Sequence, residues 1–245
     1  MYLEEIIYKN SRIKILIDKK ELVSKAYDEL IDQRTILENY IKKDPYFLSA
    51  LSPYKIKKDA PKIAKLMSEG AKIAKVGPMA AVAGTLSEFI VKKLIKEGAK
   101  TAIAENGGDI FAVTDKEITI GLFSGQNKIA EKLAFKLNKN NTPLSICSSS
   151  SKLGHSLSFG KCDLATVFSK KSYIADAVST AVGNKVKEIK DIEPTLNWAI
   201  KLKGVQGVII VKDHKIGMIG NIPKLLLSKD QKLKNKITKE DFYRF

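Results

Sequence analysis

From Thr101 onward the chain reads as short apolar runs separated by turn residues: Thr101-Ala-Ile-Ala, Ile110 to Val113 and Ile118 to Phe123. Leu133 to Leu137 and Leu144 to Cys147 continue the predicted sheet, and Asp163 to Phe168 gives one more strand before a helix from Tyr173 to Val182. The preceding texture differs. After a hairpin of Leu3 to Tyr8 and Ile13 to Ile17, three amphipathic helices are expected over Glu21 to Lys43, Lys62 to Lys75 and Met79 to Glu97. The first of these places Leu22, Ala26, Leu30, Ile36, Leu37 and Ile41 on its apolar face. A further helix over Ile192 to Lys203 and a closing hairpin of Val205 to Val211 and Lys215 to Ile219 precede a lysine-rich tail from Lys229. The class is α+β, a mostly antiparallel sheet with segregated helices. No repeat, low-complexity linker or break in composition marks a second domain. Residues 1–245 therefore read as one domain, with a motif-bearing core over 77–184.

The 245 residues are 44% hydrophobic, enough for a core and too many for a disordered chain. The N-terminus lacks an export signal, and Ser87 and Glu88 interrupt the longest apolar stretch, Val76 to Leu94, so a cytoplasmic protein without a membrane partner is expected. Cys147 and Cys162 are too few for a disulfide framework and too far apart for a C-x-x-C site, and read as reduced thiols. The 43 Lys+Arg against 27 Asp+Glu give a net charge of +16. Only Arg12, Arg34 and Arg244 are arginine, and lysine lacks the bidentate fork that reads bases. With 7% aromatics and scattered lysines, a nucleic-acid partner is disfavoured.

Four segments carry candidate chemistry. In Gly77-Pro-Met-Ala-Ala-Val-Ala-Gly84-Thr85 small residues open a helix whose first N–H groups can accept an anion, or simply pack closely. Glu105-Asn106-Gly107-Gly108-Asp109 suits a tight hairpin turn, with Glu105 and Asp109 placed to hold a cation or sugar hydroxyls. The segment from Cys147 to Lys161 offers Ser149, Ser150, Gly154, Ser156, Ser158 and Gly160 to a phosphate, with Lys161 to neutralise it, or forms a plain flexible serine loop. It also holds His155, a proton carrier or a hydrogen-bonded loop residue. On the helix from Tyr173, Asp176 and Thr180 share one face at i and i+4: a hard-oxygen pair suited to Mg²⁺, or an Asp to Thr hydrogen bond.

In this order and spacing, GPMAAVAGTLSE, ENGGDIF, SSSSKLGHSLSFGKCD and ADAVSTAVGN resemble the uncharacterised ApbE-like protein family, distant relatives of the ApbE flavin transferases. The resemblance implies an ApbE-like fold with the motifs converging on one cleft. It further implies a divalent ion at Asp176 and Thr180, a flavin nucleotide (FMN or FAD) near Asn106 to Asp109, and a counterpart of the transferases' first-motif glycine at Gly84. Two departures argue against flavin transfer. Ala83 stands where the transferases carry lysine, and His155-Ser-Leu-Ser-Phe-Gly replaces their His-x-x-Asp-Pro-x-x-Gly.

The first functional expectation is thus a metal-assisted enzyme or binder of a phosphorylated small molecule. A second, implied by the family, is a factor in anaerobic sulfur assimilation into homocysteine, with Cys147 as the residue to watch, either a reactive thiol or a small buried hydrophobe. The third is a non-catalytic nucleic-acid binder. A homo-oligomer is compatible with each.

Overall fold

The computed structural model describes residues 1–121, 133–150 and 160–227. The chain opens with a hairpin, β1 (Tyr2–Tyr8) and β2 (Ser11–Ile17), closed by the two residues Lys9 and Asn10 rather than the four expected. Three helices follow: α1 (Val23–Lys43), the single turn α2 (Tyr46–Ser49) and α3 (Lys62–Ala74). A 3₁₀ turn at Pro78–Ala81 leads into α4 (Val82–Lys96). Then come β3 (Ala102–Asn106), β4 (Asp109–Val113), β5 (Ile118–Gly121), β6 (Leu133–Leu137), β7 (Leu144–Ser149) and β8 (Leu164–Ser169). Helices α5 (Ser172–Lys185) and α6 (Ile192–Ala199) precede β9 (Val205–Lys212), β10 (Lys215–Gly220) and β11 (Lys224–Leu227). Sequence periodicity does not mark β11, and α6 ends four residues before the expected Lys203. The basic tail from Lys229 lies outside the described residues.

Eight strands form one antiparallel sheet in the order β1-β2-β3-β4-β7-β8-β9-β10. The expectation that Ile118 to Phe123 and Leu133 to Leu137 extend this sheet is corrected. β5 and β6 pair instead with β11 in a separate three-stranded sheet, ordered β11-β6-β5. The reason lies in the alternation of side chains across the large sheet, which makes both of its faces apolar. One face carries Ile13, Ile15, Ile17, Ala104, Phe111, Val167 and Ile210 against Leu30, Met67, Ile90 and Val178 of the helices. The other carries Ile103, Ile110, Ile146, Phe168 and Ile209 and needs its own cover, which Ile120, Leu133, Phe135 and Leu137 of the small sheet provide. The helices are therefore all on one side, as the α+β reading requires.

Within α1 the buried stripe is Ala26, Leu30, Leu37 and Tyr40. Ile36 is 42% exposed, because its position turns away from the line that Tyr40 completes. The apolar stretch from Val76 to Leu94 is divided from α3 by a bend of 104°, and no single helix among the described residues is long and apolar enough to cross a membrane.

The two sheets meet where Phe135 and Phe168 pack edge to face, ring centres 5.1 Å apart, both fully buried. Phe135→Ala and Phe168→Ala should each cost about 3–5 kcal/mol in urea unfolding. The double variant should cost less than their sum, because each ring is the other's partner.

Candidate functional site

The start of α4, β4, β7 and α5 converge at Gly84. A Cβ on this residue would lie 3.0 Å from Cβ of Asp176, 3.1 Å from Sγ of Cys147 and 3.1 Å from the carbonyl oxygen of Ser172. Glycine is therefore the residue that lets the two helices and β7 close up. The N–H of Gly84 donates to Oδ2 of Asp176 at 2.8 Å, and the N–H of Ala83 donates to the same carboxylate. These are orphan amides of the first turn of α4. The sequence predicts an anion at this helix start, and the anion that the fold brings there is the protein's own Asp176.

The helices cap each other. Glu88, buried in α4, accepts the N–H of Ser172, the first residue of α5, at 2.6 Å on one oxygen, and pairs with Lys92 on the other. A carboxylate from α5 thus holds the start of α4, and one from α4 holds the start of α5. The Ser172 hydroxyl donates to Ser145 at 2.8 Å, and Ser145 Oγ lies 3.2 Å from Sγ of Cys147. Glu88, Ser145 and Ser172 are residues that motif reasoning missed. The available signal was one acid inside an apolar helix, since a fully buried Glu needs a partner.

Antiparallel pairing puts Asn106, Asp109 and Cys147 opposite one another on the helix-side face. Asp109 is 7% exposed, and its Oδ1 is buried without a hydrogen-bond partner among the described residues. Burial first, and then the negative charge of Asp176, push its carboxyl well above the usual range, while the Cys147 thiol and the Ser148 N–H hold it down. Burial likewise lifts Asp176 to about 7, against the pull of the Gly84 and Ala83 amides. The Cys147 thiol is pushed well up by burial and by both carboxylates, so it stands neutral, the opposite of the lowered pKa that a sulfur nucleophile uses.

The hairpin turn takes the expected form, with Gly107 and Gly108 at φ of +61° and +98°, and the Asn106 amide reaches the Ala83 carbonyl at 3.3 Å. The pairing of Glu105 with Asp109 around one cation is corrected. Their side chains leave opposite faces of the sheet, and Glu105 accepts the N–H of Gly108 at 2.8 Å instead. Thr180 is half-buried on the Asp176 face of α5, followed on that face by Gly183, where a Cβ would come 3.2 Å from Oγ of Ser149. Gly160 abuts Gly183, its own Cβ position falling 1.8 Å from the Gly183 carbonyl oxygen. Lys161 is exposed, with its N–H on the Val186 carbonyl, and is not brought to the acidic cluster; ten residues of helical rise, about 15 Å, separate Val186 from Asp176. Ser150 is buried just beyond β7. Gly154, His155, Ser156 and Ser158 lie outside the described residues.

The sequence and the fold match those of known proteins. A family model described as "AbpE bacteria" matches residues 5–201. The UPF0280 protein of Methanococcus vannielii is 41% identical, covering 92% of this chain and 93% of its own. UPF0280 protein MJ1526 of Methanocaldococcus jannaschii is also 41% identical, over 91% and 92%. The chain belongs to the UPF0280 family of ApbE-like proteins. Among solved structures, this family member resembles the flavinyl transferase ApbE of Pseudomonas stutzeri with a TM-score of 0.54 at 12% identity, covering 89% of this chain and 94% of that one. The ApbE protein of Thermotoga maritima gives 0.51 at 12% identity, over 95% and 98%. At such identities the likeness establishes an ApbE-like fold.

Two predictions follow from this geometry. Gly84→Ala should destabilise the metal-free protein by about 1–3 kcal/mol in chemical unfolding, since backbone and Cβ atoms must give way. In EDTA, the folded chain holds the Asp176 proton up to about 7, against an ordinary value of 3.8. Between these limits the folded state binds more protons than the unfolded one, so stability should fall as pH rises from about 4 to about 7, by at most ~1.4 kcal/mol per pH unit for each carboxylate. Asp176→Asn should flatten that profile.

Proposed function

We propose that this protein binds and acts on a phosphorylated small molecule with the help of a divalent cation, Mg²⁺ being the first candidate and a flavin nucleotide, FMN or FAD, the first ligand to test. The observation that carries this reading is the buried Oδ1 of Asp109, without a hydrogen-bond partner among the described residues, beside a second buried carboxylate, Asp176, the donors to the two among those residues being N–H and S–H groups. Two carboxylates in a poorly solvated site strongly favour a cation, and Mg²⁺ typically takes one or two carboxylates and completes its shell with waters and substrate phosphate. The donor chemistry fits. Asp176 and Thr180 would hold the ion from α5, and Asp109 would face it from β4.

The bound ion would supply charge neutralisation for phosphate oxygens. This chain's own residues do the rest. The Ala83 and Gly84 amides fix the Asp176 carboxylate in place, and the neutral Cys147 thiol donates to Asp109 and fixes its orientation. The Asn106 to Asp109 turn brings a glycine backbone beside the cluster, where a ligand can approach without side-chain obstruction. The ApbE-like fold supports the choice of a flavin nucleotide as the first ligand.

Thermal melting tests the proposal. The wild type should gain more stability from Mg²⁺ plus FMN or FAD than from the sum of each alone. Asp176→Asn and Thr180→Val should lose that metal-dependent gain while keeping their metal-free fold. The absence of any shift with metal and nucleotide in folded wild type, or equal shifts in wild type and Asp176→Asn, would overturn it.

A further inference from the structure

α1, α3 and α4 leave between them a groove of about 350 Å³, which begins at Thr85, next to Gly84, and runs along α4 to Lys96. That is at the small end of sites that enclose a metabolite-sized ligand. Its apolar surface comes from Leu66 of α3 and Phe89 of α4, both half-buried. Its charge is one-sided, with four lysines, Lys62, Lys92, Lys93 and Lys96, against the acids Glu29 and Glu88. Lys92 is already paired with Glu88, and Lys93 with Glu97. Lys62 and Lys96 have no carboxylate within ion-pair distance among the described residues, and the Lys62 ammonium stands 5.8 Å from the centre of the Phe89 ring. An apolar floor with an aromatic ring, one lysine over that ring and a second lysine, Lys96, without an ion-pair partner among the described residues, matches a ligand that is flat and greasy on one part and anionic on another.

We propose that this groove is a second binding site, for a small molecule that joins a planar apolar body to an anionic group. The body lies against Phe89 and Leu66, and the anion is held by Lys62 and Lys96. The site uses no metal and none of Asp109, Cys147 or Asp176, so it stands whether or not the cation site does.

The test is calorimetric titration of the full chain in EDTA at physiological salt with three probes. 1-Naphthyl phosphate carries both parts, 1-naphthol the apolar body alone, and inorganic phosphate the charge alone. The expected result is saturable binding of naphthyl phosphate to one site, at least about tenfold tighter than either fragment. Lys62→Gln combined with Lys96→Gln changes only exposed side chains, so it should leave the melting temperature unchanged and weaken naphthyl phosphate about tenfold or more. Phe89→Leu should weaken naphthyl phosphate and leave inorganic phosphate unaffected. Lys215→Gln, which removes an exposed lysine of β10 outside the groove, should bind it as wild type does. The proposal is overturned by unsaturable binding, by a lysine double variant that binds normally, or by inorganic phosphate binding as well as naphthyl phosphate. It is overturned equally if Lys215→Gln weakens binding as much as the lysine double variant does, which would assign the affinity to net charge rather than to the groove.

Discussion

The structure depends on one contact between residues far apart in sequence, the Asp176 carboxylate on the first-turn amides of α4. A carboxylate taken out of water is costly unless donors replace its hydration, and a helix start offers amides that have no other partner. Asp176 and α4 thus each remove the other's deficit. Glu88 does the same for the first amide of α5, so the two helices are locked by reciprocal caps rather than by apolar contact alone. Once the helices are held this way, Gly84 must be bare of a side chain, and Cys147 of β7 fills the space beneath it. The cluster is an outcome of how α4 and α5 meet over β4 and β7.

Which residues reach that cluster is then decided by the period of two along the strands. Asp109 and Cys147 face each other across β4 and β7 on the helix side, whereas Glu105, four residues before Asp109 but across a two-residue turn, falls on the other. That other face, except at the strand ends, is an apolar sandwich against the small sheet, with Ile103, Ile110 and Ile146 pointing into it. The polar chemistry is confined to one side because the second side is needed for packing. Ser148 illustrates the boundary. It turns to the sandwich side and satisfies its hydroxyl on Thr166 at 2.9 Å, while Ser149 next to it meets Gly183 of α5.

Much of this was legible in the sequence. The Gly107-Gly108 hairpin follows from two adjacent positive φ values, and α3, α4 and α5 follow from their periodicity. Two kinds of information were not. Membership of β5 and β6 in a separate sheet depends on β11, which arrives some 90 residues later in a segment without alternation, so no local pattern announces it. The partner of Asp176 was hidden for a similar reason. Its chemistry is evident on the helix, but the i and i+4 relation to Thr180 is local, while Gly84 lies 92 residues away. Sequence distance concealed the caps, and strand parity, correctly applied, would have separated Glu105 from Asp109.

The electrostatics of the cluster also order what can enter it. A phosphate brings negative charge to a place where burial already makes ionisation of Asp109 and Asp176 costly, so an unaccompanied phosphate finds neither hydration nor a cation to offset its charge. The neutral Cys147 thiol cannot offset that charge, and Lys171 and Lys185, which flank Asp176 at the two ends of α5, are engaged elsewhere, Lys171 with Glu69 and Lys185 over the Trp198 ring. On the function proposed here, the cation is therefore the first ligand and the condition for the second. It supplies the positive charge that the buried carboxyls cannot offer a phosphate, and this is why metal and nucleotide act together rather than independently.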